Sequence, residues 1–170
     1  MRRTLHEPAP GILVVAAMWR ANFDETLALG ELERGFGPLG QRTAVFEVTQ
    51  TSYYAREMGE GLRKLFVAIE GEAARDSLVH WKRVAVALEE KHLDSDARRL
   101  NVDPMVVSLE NVTVATSKGH PHRVYLRDGV FADVQLARRR GGFEALPWTY
   151  ADYAERVLFF GQLHGRLPRP

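Results

Sequence analysis

The chain has 170 residues, of which 45% are hydrophobic and 26% are charged, a composition that suits one compact domain and is too short for two ordinary ones. It contains no cysteine, which excludes disulfides, thiolate zinc sites, iron–sulfur clusters and a cysteine nucleophile. Its 23 lysines and arginines nearly balance its 22 aspartates and glutamates, so no overall field attracts nucleic acid or a membrane surface.

One α+β domain is expected over residues 11–164, after a loose lead-in over residues 1–10 and before a tail over residues 165–170. The apolar run from Ile12 to Met18 is about half as long as the shortest reliable membrane-spanning segment. The residues around it lack the small-residue pattern of a signal-peptide cleavage site. These features predict a cytoplasmic protein.

The first half of the chain predicts alternating strands and helices. Ile12–Val15 is rich in β-branched residues, which indicates a strand buried on both faces. Asn22 is the expected cap of a helix that ends near Gly37. That helix carries these residues toward the core at near-helical spacing: Phe23, Leu27, Leu32 and Phe36. Two further strands are predicted at Thr43–Val48 and Leu65–Ile69.

A second amphipathic helix is predicted from Ala73 to His92. Its apolar residues recur at three- and four-residue spacing: Leu78, Trp81, Val84, Ala85 and Leu88. Its charged residues are expected largely on the opposite, solvated side: Arg75, Lys82, Arg83, Glu89 and Glu90. His80 and His92 are also expected at the solvated surface.

Two β-prone segments follow, Met105–Leu109 and Val112–Thr116, which form either one interrupted strand or two strands joined by a turn. Asp128-Gly129 suits the type I′ turn of a two-residue hairpin. Counting outward from that turn, the predicted cross-strand pairs are Arg127 with Val130, Leu126 with Phe131, Tyr125 with Ala132, Val124 with Asp133, Arg123 with Val134 and His122 with Gln135.

A final helix is predicted to begin at Thr149, with Asp152 three residues later. It should carry these residues toward the core: Tyr153, Val157, Phe160 and Leu163. The element order is strand, helix, strand, strand, helix, strand, then a hairpin and a helix. The sequence therefore predicts an α+β fold with a ferredoxin-like βαββαβ core and an added C-terminal β-hairpin and helix.

The hairpin register nominates a candidate site. It places His122 diagonal to Asp133 on one face, where the carboxylate could orient the imidazole for acid–base chemistry; alternatively, the two residues only satisfy each other. The other face holds Arg123, Tyr125 and Arg127, which could bind a phosphate or carboxylate, or else the arginine stems shield neighbouring valines. The alternation sends His122 and Arg123 to opposite faces unless the strand starts after Arg123.

Other polar residues are further candidates for ligand binding. Lys118 lies in the loop before the hairpin. Asn101 and Asp103 form an Asx turn before Pro104, or Asp103 points into a cleft. Aromatic and acidic residues that could line a pocket, although core packing is the commoner use of such rings, are Tyr53, Tyr54, Glu57, Trp148 and Tyr150. A metal site formed by His120, His122 and Asp133 is an alternative, but histidines two residues apart around a proline are a weak signal, and no metal is predicted.

A family resemblance accompanies these motifs. The segments Asn101-x-Asp103-Pro104, Ala115-Thr116-Ser117-Lys118, His122-Arg123-Val124-Tyr125-Leu126 and Trp148-Thr149-Tyr150-x-Asp152-Tyr153 resemble the prokaryotic family known as domain of unknown function 4416. The likeness covers most of residues 11–164. It implies a small cytoplasmic single-domain protein, in some members labelled GTP-binding. This chain has no glycine loop followed by Lys-Ser or Lys-Thr, so its residues give that label no support.

Three functions are consistent with these features. The first is binding of a phosphorylated or carboxylated small molecule, such as a nucleotide, near residues 118–133. The second is an enzyme that uses His122 as the acid or base, with Asp133 orienting it. The third is an RNA or protein adaptor, which the balanced charge and the lack of closely spaced surface aromatics disfavour. No cofactor and no oligomeric state follow from the sequence.

Overall fold

A computed structural model describes residues 4–49, 58–95 and 97–169. The described strands are β1 Ile12–Trp19, β2 Leu39–Arg42, β3 Phe46–Glu47, β4 Arg63–Ile69, β5 Leu93–Asp94, β6 Ala97–Arg98, β7 Leu100–Val107, β8 Asn111–Thr116, β9 Val124–Arg127, β10 Val130–Arg139 and β11 Gly142–Ala145. The described helices are α1 Glu25–Phe36, α2 Leu78–Lys91, α3 Ala151–Ala154 and α4 Val157–His164. Within this part of the chain, no helix is long and apolar enough to cross a membrane.

The protein has a mixed α and β fold built on one large antiparallel sheet. The described strands of that sheet number nine, and seven of them follow the order β11-β10-β8-β7-β1-β4-β2. Strand β3 also pairs with β4, and β9 also pairs with β10. Strands β5 and β6 form a separate two-stranded ribbon. The sheet is larger than the sequence predicted, because β11 adds a strand that the turn signals did not reveal.

Strand β1 lies at the centre and is buried on both faces, as its β-branched run predicted. Leu13, Val15 and Ala17 pack with α1 and α2. Ile12 and Val14, on the opposite face, pack with the rings of α4. The sheet is therefore covered on both sides at β1, and each hydrophobic cluster takes alternate residues of the same strand.

The first helix begins two residues later than predicted. Asp24, not Asn22, is the N-cap, and its Oδ1 accepts a hydrogen bond of 2.8 Å from the Leu27 backbone N–H. The predicted inward-facing Leu27 is 41% exposed, whereas Ala28 is buried. The prediction failed here because several polar residues precede the helix and each of them can cap it.

The predicted strand Thr43–Val48 is wrong in its bounds. The chain joins the sheet edge directly after α1, as β2, and returns to it as β3. Both short strands pair with β4. Pro38 stops the helix, and the Gly37 φ of 108° turns the chain back toward the sheet, so strand pairing starts at once.

The second helix is shorter at its start than the predicted Ala73–His92. Ala73 exchanges two backbone hydrogen bonds of 2.8 Å with Gly11, which holds it in a β-bridge. The expectation that Lys82 and Glu89 face solvent is wrong, since both are buried. His92 is also not a solvated residue: its ring contacts Phe23, and its Nε2 lies 3.4 Å from the Glu31 carboxylate.

Two strands, not one interrupted strand, form from the β-prone segments after residue 99. Strands β7 and β8 are joined by a turn in which the Ser108 N–H donates to the Asn111 carbonyl over 2.8 Å. Asn101 and Asp103 lie inside β7, so the predicted Asx turn is absent at these described residues. The alternative, a carboxylate directed into a cleft, is the arrangement that the structure has.

The Asp128-Gly129 reversal is present, but the register beyond it is shifted. Both residues have positive φ, 53° and 75°, and Arg127 faces Val130 as predicted. A bulge then makes Phe131 face Tyr125 instead of Leu126. Strand β9 begins only at Val124. Tyr125 and Val124 therefore face Phe131 and Ala132, one residue away from their predicted partners, and the pairs predicted for Arg123 and His122 do not form, because both residues precede β9.

The predicted final helix is divided into two helices, α3 and α4, because helical structure is interrupted at Glu155 and Arg156. Thr149 does not begin the helix; its hydroxyl accepts the Leu146 N–H over 2.7 Å, and Tyr150 is the N-cap of α3. Tyr153, Phe160 and Leu163 are buried, as their spacing predicted. Both helices cover the face of the sheet opposite α1 and α2.

Candidate functional site

The candidate site is a cleft where the large sheet divides. Strands β7 and β8 pair only from Met105–Val114 to Val107–Val112. Beyond Met105, β7 continues beside β1, while β8 continues beside β10. We call this divergence the fork. It opens a cleft of about 480 Å³, the fork cleft, which α3 and the segment around Phe46 also line.

Pro104 explains why the two strands separate there. The Val102 backbone, two residues earlier, turns its N–H and C=O away from β1 and toward α2. Backbone groups alternate between the two neighbours of a strand, so Pro104 presents the same side toward β8. Proline has no N–H, and a ladder bond to β8 cannot form at this position.

Helix α2 supplies side chains that replace the missing strand. The Val102 N–H donates to Glu89 Oε1 over 2.7 Å, and the Val102 carbonyl accepts from Lys82 Nζ over 3.3 Å. Lys82 and Glu89 are seven residues apart, which is two helical turns, so both point to the same side of α2. They supply hydrogen-bond partners to the Val102 N–H and C=O at the free edge of β7, in place of a neighbouring strand.

Lys82 also forms an ion pair with Asp103 inside the fork cleft. Lys82 Nζ lies 3.0 Å from Asp103 Oδ1, and the Asn101 amide donates to Asp103 Oδ2 over 2.8 Å. Burial by itself would raise the pKa of Asp103, but the ammonium groups of Lys82 and Lys64 outweigh it and lower that pKa. Asp103 is therefore a carboxylate fixed in place by its neighbours.

The ionisation of Lys82 and Glu89 follows the same balance. Burial would lower the pKa of Lys82, but Asp103 and Glu89 raise it above its ordinary value. Burial raises the pKa of Glu89, and the nearby Lys82 only partly opposes that effect. Lys82 is thus a permanent cation at neutral pH and does not act as a neutral amine nucleophile.

A second buried ammonium enters the fork cleft from β4. Lys64 is 7% exposed, and its Nζ lies 2.5 Å from Asp152 Oδ2 at the start of α3. The same ammonium sits 5.3 Å from the ring centroids of Phe66 and Tyr153. Cation–π contacts with these rings help to hold Lys64 in place.

Arg123 forms the opposite wall, and the structure places it with Asp133. Its Nε donates to Asp133 Oδ2 over 2.8 Å, its NH1 group to the Lys118 carbonyl over 2.8 Å and its NH2 group to the Tyr150 hydroxyl over 3.0 Å. The predicted alternation, which put Arg123 on the face opposite Asp133, had one exception, a strand that starts after Arg123. The structure has that exception, since β9 begins at Val124 and alternation does not apply to Arg123.

His122 lies beside Asp133, but it is not among the described residues that line the fork cleft. Its Nε2 is 3.6 Å from Asp133 Oδ1, beyond hydrogen-bond distance. Its ring stacks on Trp148 with centroids 4.7 Å apart, and its Nδ1 is 2.8 Å from His120 Nδ1. His122 and Asp133 are therefore neighbours but not the predicted diagonal cross-strand pair, because His122 precedes β9, and Arg123 is the closer partner of Asp133.

The other predicted ligand-binding residues divide into three groups. Those that line the fork cleft are Asn101, Asp103, Lys118, Arg123 and Tyr150. Tyr125 and Trp148 are 59% and 39% exposed elsewhere, with Tyr125 against Phe131 and the Trp148 indole donating to the Val134 carbonyl. Tyr53, Tyr54 and Glu57 lie outside the described residues. Among described residues, no group of three or more His, Asp or Glu is arranged to hold a metal ion.

Sequence reasoning missed Lys64, Lys82, Glu89 and, as a site residue, Asp152. A signal for two of them was present, because Leu78, Lys82, Ala85 and Glu89 recur at four- and three-residue spacing and share one stripe with buried apolar residues. Lys64 lies on the same face of β4 as the buried Phe66 and Ala68, since side chains two residues apart on a strand point the same way. A charged residue at the spacing of core residues is the pattern that would have identified Lys64, Lys82 and Glu89.

Comparison with known proteins gives a family match that covers most of the chain. No curated protein matches it, and no solved structure does. A family model whose description reads Domain of unknown function (DUF4416) matches residues 9–163. That match covers every element of the fork and, apart from Leu167, the two hydrophobic clusters packed on β1, and it confirms the resemblance drawn from the sequence motifs. The chain belongs to the DUF4416 family.

Proposed function

We propose that this protein binds a small phosphorylated or carboxylated molecule in the fork cleft. The observation that carries the proposal is the convergence of Lys64, Lys82 and Arg123 on one cleft from β4, from α2 and from the loop before β9. All three cations are largely buried, and residues from separate elements hold them in position. Preorganised cations of this kind suit phosphate and carboxylate groups.

Net charge does not select the ligand, because the charges that line the cleft balance. The six basic residues are Lys64, Lys82, Arg98, Lys118, Arg123 and Arg156, and the six acidic residues are Glu47, Glu89, Asp103, Asp133, Asp152 and Glu155. This balance also argues against a nucleic-acid backbone, which requires an excess of positive charge. Selection must depend on the hydrogen bonds that remain available.

Part of the remaining hydrogen-bond capacity is of the donor type. An ammonium has three N–H groups. Within the described part of the chain, Lys82 donates two of them, to Val102 and Asp103, and Lys64 donates one, to Asp152. The cleft aspartates already accept from these cations and from Arg123, and among their described oxygens Asp133 Oδ1 is buried without a hydrogen-bond partner. A ligand that accepts hydrogen bonds is therefore matched, and an anion is matched best.

The cost of burying charge supports a functional origin for this arrangement. A buried ion pair contributes little or nothing to stability in comparison with a well-packed apolar pair, because desolvation offsets the attraction. The fork cleft holds such pairs from several elements in one place. Clusters of ionisable groups with shifted pKa values in a cleft are typical of binding and catalytic sites.

The ferredoxin-like core is part of this proposal. We propose that β1, α1, β2, β4, α2 and β7 form a split βαβ unit to which β8–β11, α3 and α4 are added. The strand order β7-β1-β4-β2 and the packing of both helices against one face of β1 support it. The fork then marks the boundary between that unit and the addition. A cytoplasmic location also stays a proposal, supported by the lack of cysteine.

A thermal-shift and NMR titration with phosphorylated and carboxylated metabolites, at low ionic strength to limit screening, tests the binding proposal. Lys82→Met should abolish any response. Lys91→Met is the matched control, because Lys91 lies on the same helix and pairs with the Glu31 carboxylate outside the fork cleft. If no compound raises the melting temperature at millimolar concentration, or if both variants respond like the parent protein, the proposal is wrong.

A further inference from the structure

We infer that the ligand of the fork cleft carries two anionic groups, one at each end, and that each group binds at a separate cationic pole of the cleft. This inference rests on the proposed function. The lysine pole consists of Lys64 and Lys82 with their carboxylate partners. The arginine pole consists of Arg123 with Asp133 and Tyr150.

The sheet register gives the separation of the two poles. Asp133 pairs with Val114, which pairs with Met105, so Asp133 and Met105 lie two strands apart in one row. Asp103 lies two residues further along β7. With about 4.8 Å between strands and about 3.4 Å per residue, the Cα atoms of Asp103 and Asp133 are roughly 12 Å apart. The divergence of the fork adds to this distance.

We expect each pole to bind its own anionic group, because the aspartates that hold Lys82 and Arg123 have Cα atoms roughly 12 Å apart and one phosphate or carboxylate is much smaller than that. Lys82 is bonded to Asp103, and Arg123 is bonded to Asp133, so each cation is held at its own end. A guanidinium has five N–H groups. Arg123 uses three of them in its described hydrogen bonds, which leaves two to face a ligand oxygen at the arginine pole.

The floor between the poles is compatible with a short carbon skeleton. Val114 and Thr116 line the cleft on β8, the strand that lies between β7 of the lysine pole and β10 of the arginine pole. An apolar or hydroxylated chain of about six atoms would lie on these side chains while its two ends reached the cations. We therefore assign the ligand class as a bisphosphate, a dicarboxylate or a phosphorylated carboxylate with well-separated ends.

Three synthetic probes test this inference by NMR titration on the full chain. Hexane-1,6-diol bisphosphate can span both poles, ethane-1,2-diol bisphosphate has the same charge but is too short, and hexyl phosphate has only one anionic end. We expect the long bisphosphate to bind at least about tenfold more tightly than the other two, because the second anion binds intramolecularly.

Tyr150→Phe provides an independent check at the arginine pole. It removes one hydroxyl that holds Arg123 and leaves the lysine pole unchanged. The affinity for the long bisphosphate should fall several-fold, while that for hexyl phosphate, which still has the intact lysine pole, should fall less. Tyr125→Phe is the matched control, since Tyr125 lies on β9 outside the cleft lining and is 59% exposed.

The outcomes separate the two proposals. If hexyl phosphate and the long bisphosphate bind equally, and Lys82→Met abolishes both, the cleft has one anion-binding pole and only the two-pole inference falls. If the short bisphosphate equals the long one, charge and not length governs binding, which also overturns it. If none of the three probes binds, the inference and the proposed function are both overturned.

Discussion

Arg123 shows how a single side chain can join segments that are distant in sequence. Its guanidinium binds a carboxylate on β10, a carbonyl in the preceding loop and a hydroxyl beside α3. Lysine would carry the same charge but could not bind these three groups in one plane. The residue therefore has a structural role at the arginine pole in addition to any contact with a ligand.

The comparison of Arg123 with His122 gives the first prediction. Arg123→Met should destabilise the protein by about 3 kcal/mol, because it leaves the Asp133 carboxylate buried without its cation. His122→Ala should cost only about 1 kcal/mol, since it removes ring stacking on Trp148. Urea unfolding measures both values, and the His122 variant should retain ligand binding. A larger cost for His122→Ala would make the imidazole the main partner of Asp133.

At the scale of the element, the β9–β10 hairpin depends on its turn residues. Gly129 has a φ of 75°, and a Cβ added there would meet no described atom within 4 Å. A side chain at position 129 would therefore destabilise the fold only through its backbone conformation and not through a clash. Gly161, inside α4, is equally open but its φ is not positive. The two glycines therefore isolate backbone conformation from packing.

The second prediction compares these glycines. Gly129→Ala should destabilise the protein by about 1 kcal/mol, because alanine disfavours the left-handed conformation. Gly161→Ala should stabilise it by roughly 0.5–1 kcal/mol, because alanine loses less conformational freedom than glycine when a helix forms. Denaturant midpoints of the two variants and the parent protein measure the difference. Equal signs for both changes would contradict the positive φ at the hairpin turn.

The contact between α1 and α2 contains a buried carboxylate. Glu31 lies 2.8 Å from Lys91 Nζ and 2.7 Å from an Arg34 nitrogen. The hydrogen bond from Lys91 is the largest influence and, with Arg34, lowers the pKa of Glu31 from 4.5 to about 2 despite the opposing effect of burial. The pair joins the two helices on one face of the sheet.

The third prediction concerns stability at acid pH. A carboxyl group with a lowered pKa in the folded state contributes stability that is fully present above its unfolded value and is lost as the pH falls. For Glu31, that loss should occur between about pH 5 and pH 2. Glu31→Gln should remove this part of the pH dependence in urea titrations. Glu33→Gln, two residues further along α1, is the control and should not remove it. Identical acid profiles for the parent and Glu31→Gln would refute it.

For the whole molecule, the sequence predicted what local chemistry determines. The buried run of β1, the Asp128-Gly129 reversal and the buried Tyr153, Phe160 and Leu163 all follow from short-range periodicity or turn preference. The elements that failed depend on distant partners. The bulge beyond the reversal lies where β10 begins to pair with β8 as well as β9, and no local signal encodes it.

The candidate site was predicted in part for the same reason. Lys118, Arg123, Asp103 and Tyr150 were nominated by residue type, and they do line one cleft. The nomination of His122 depended on a register that a single extra residue shifts. Lys82 and Glu89 were assigned to solvent because charge was given more weight than phase, although their burial depends on the free edge of β7.

Both hydrophobic clusters use alternate residues of β1, so we expect the protein to unfold as one cooperative unit, as a single domain over residues 11–164 requires. Val14 and Val15 are both fully buried, on opposite faces of that strand. Truncating either to alanine should cost about 2 kcal/mol. The destabilisation should spread to both faces, whichever one is altered.

A probe on one face and a mutation on the other test this expectation. In a Trp148→Phe background, the remaining tryptophans are Trp19 on β1 and Trp81 on α2. Both belong to the hydrophobic cluster on the α1 and α2 face, so tryptophan fluorescence reports on that face. Val14→Ala alters the α4 face. It should shift the urea midpoint of that fluorescence as much as the midpoint seen by far-ultraviolet circular dichroism, and Val15→Ala should do the same. If Val14→Ala left the fluorescence midpoint in place while circular dichroism showed an earlier transition, the two faces would unfold separately and β1 would not couple them.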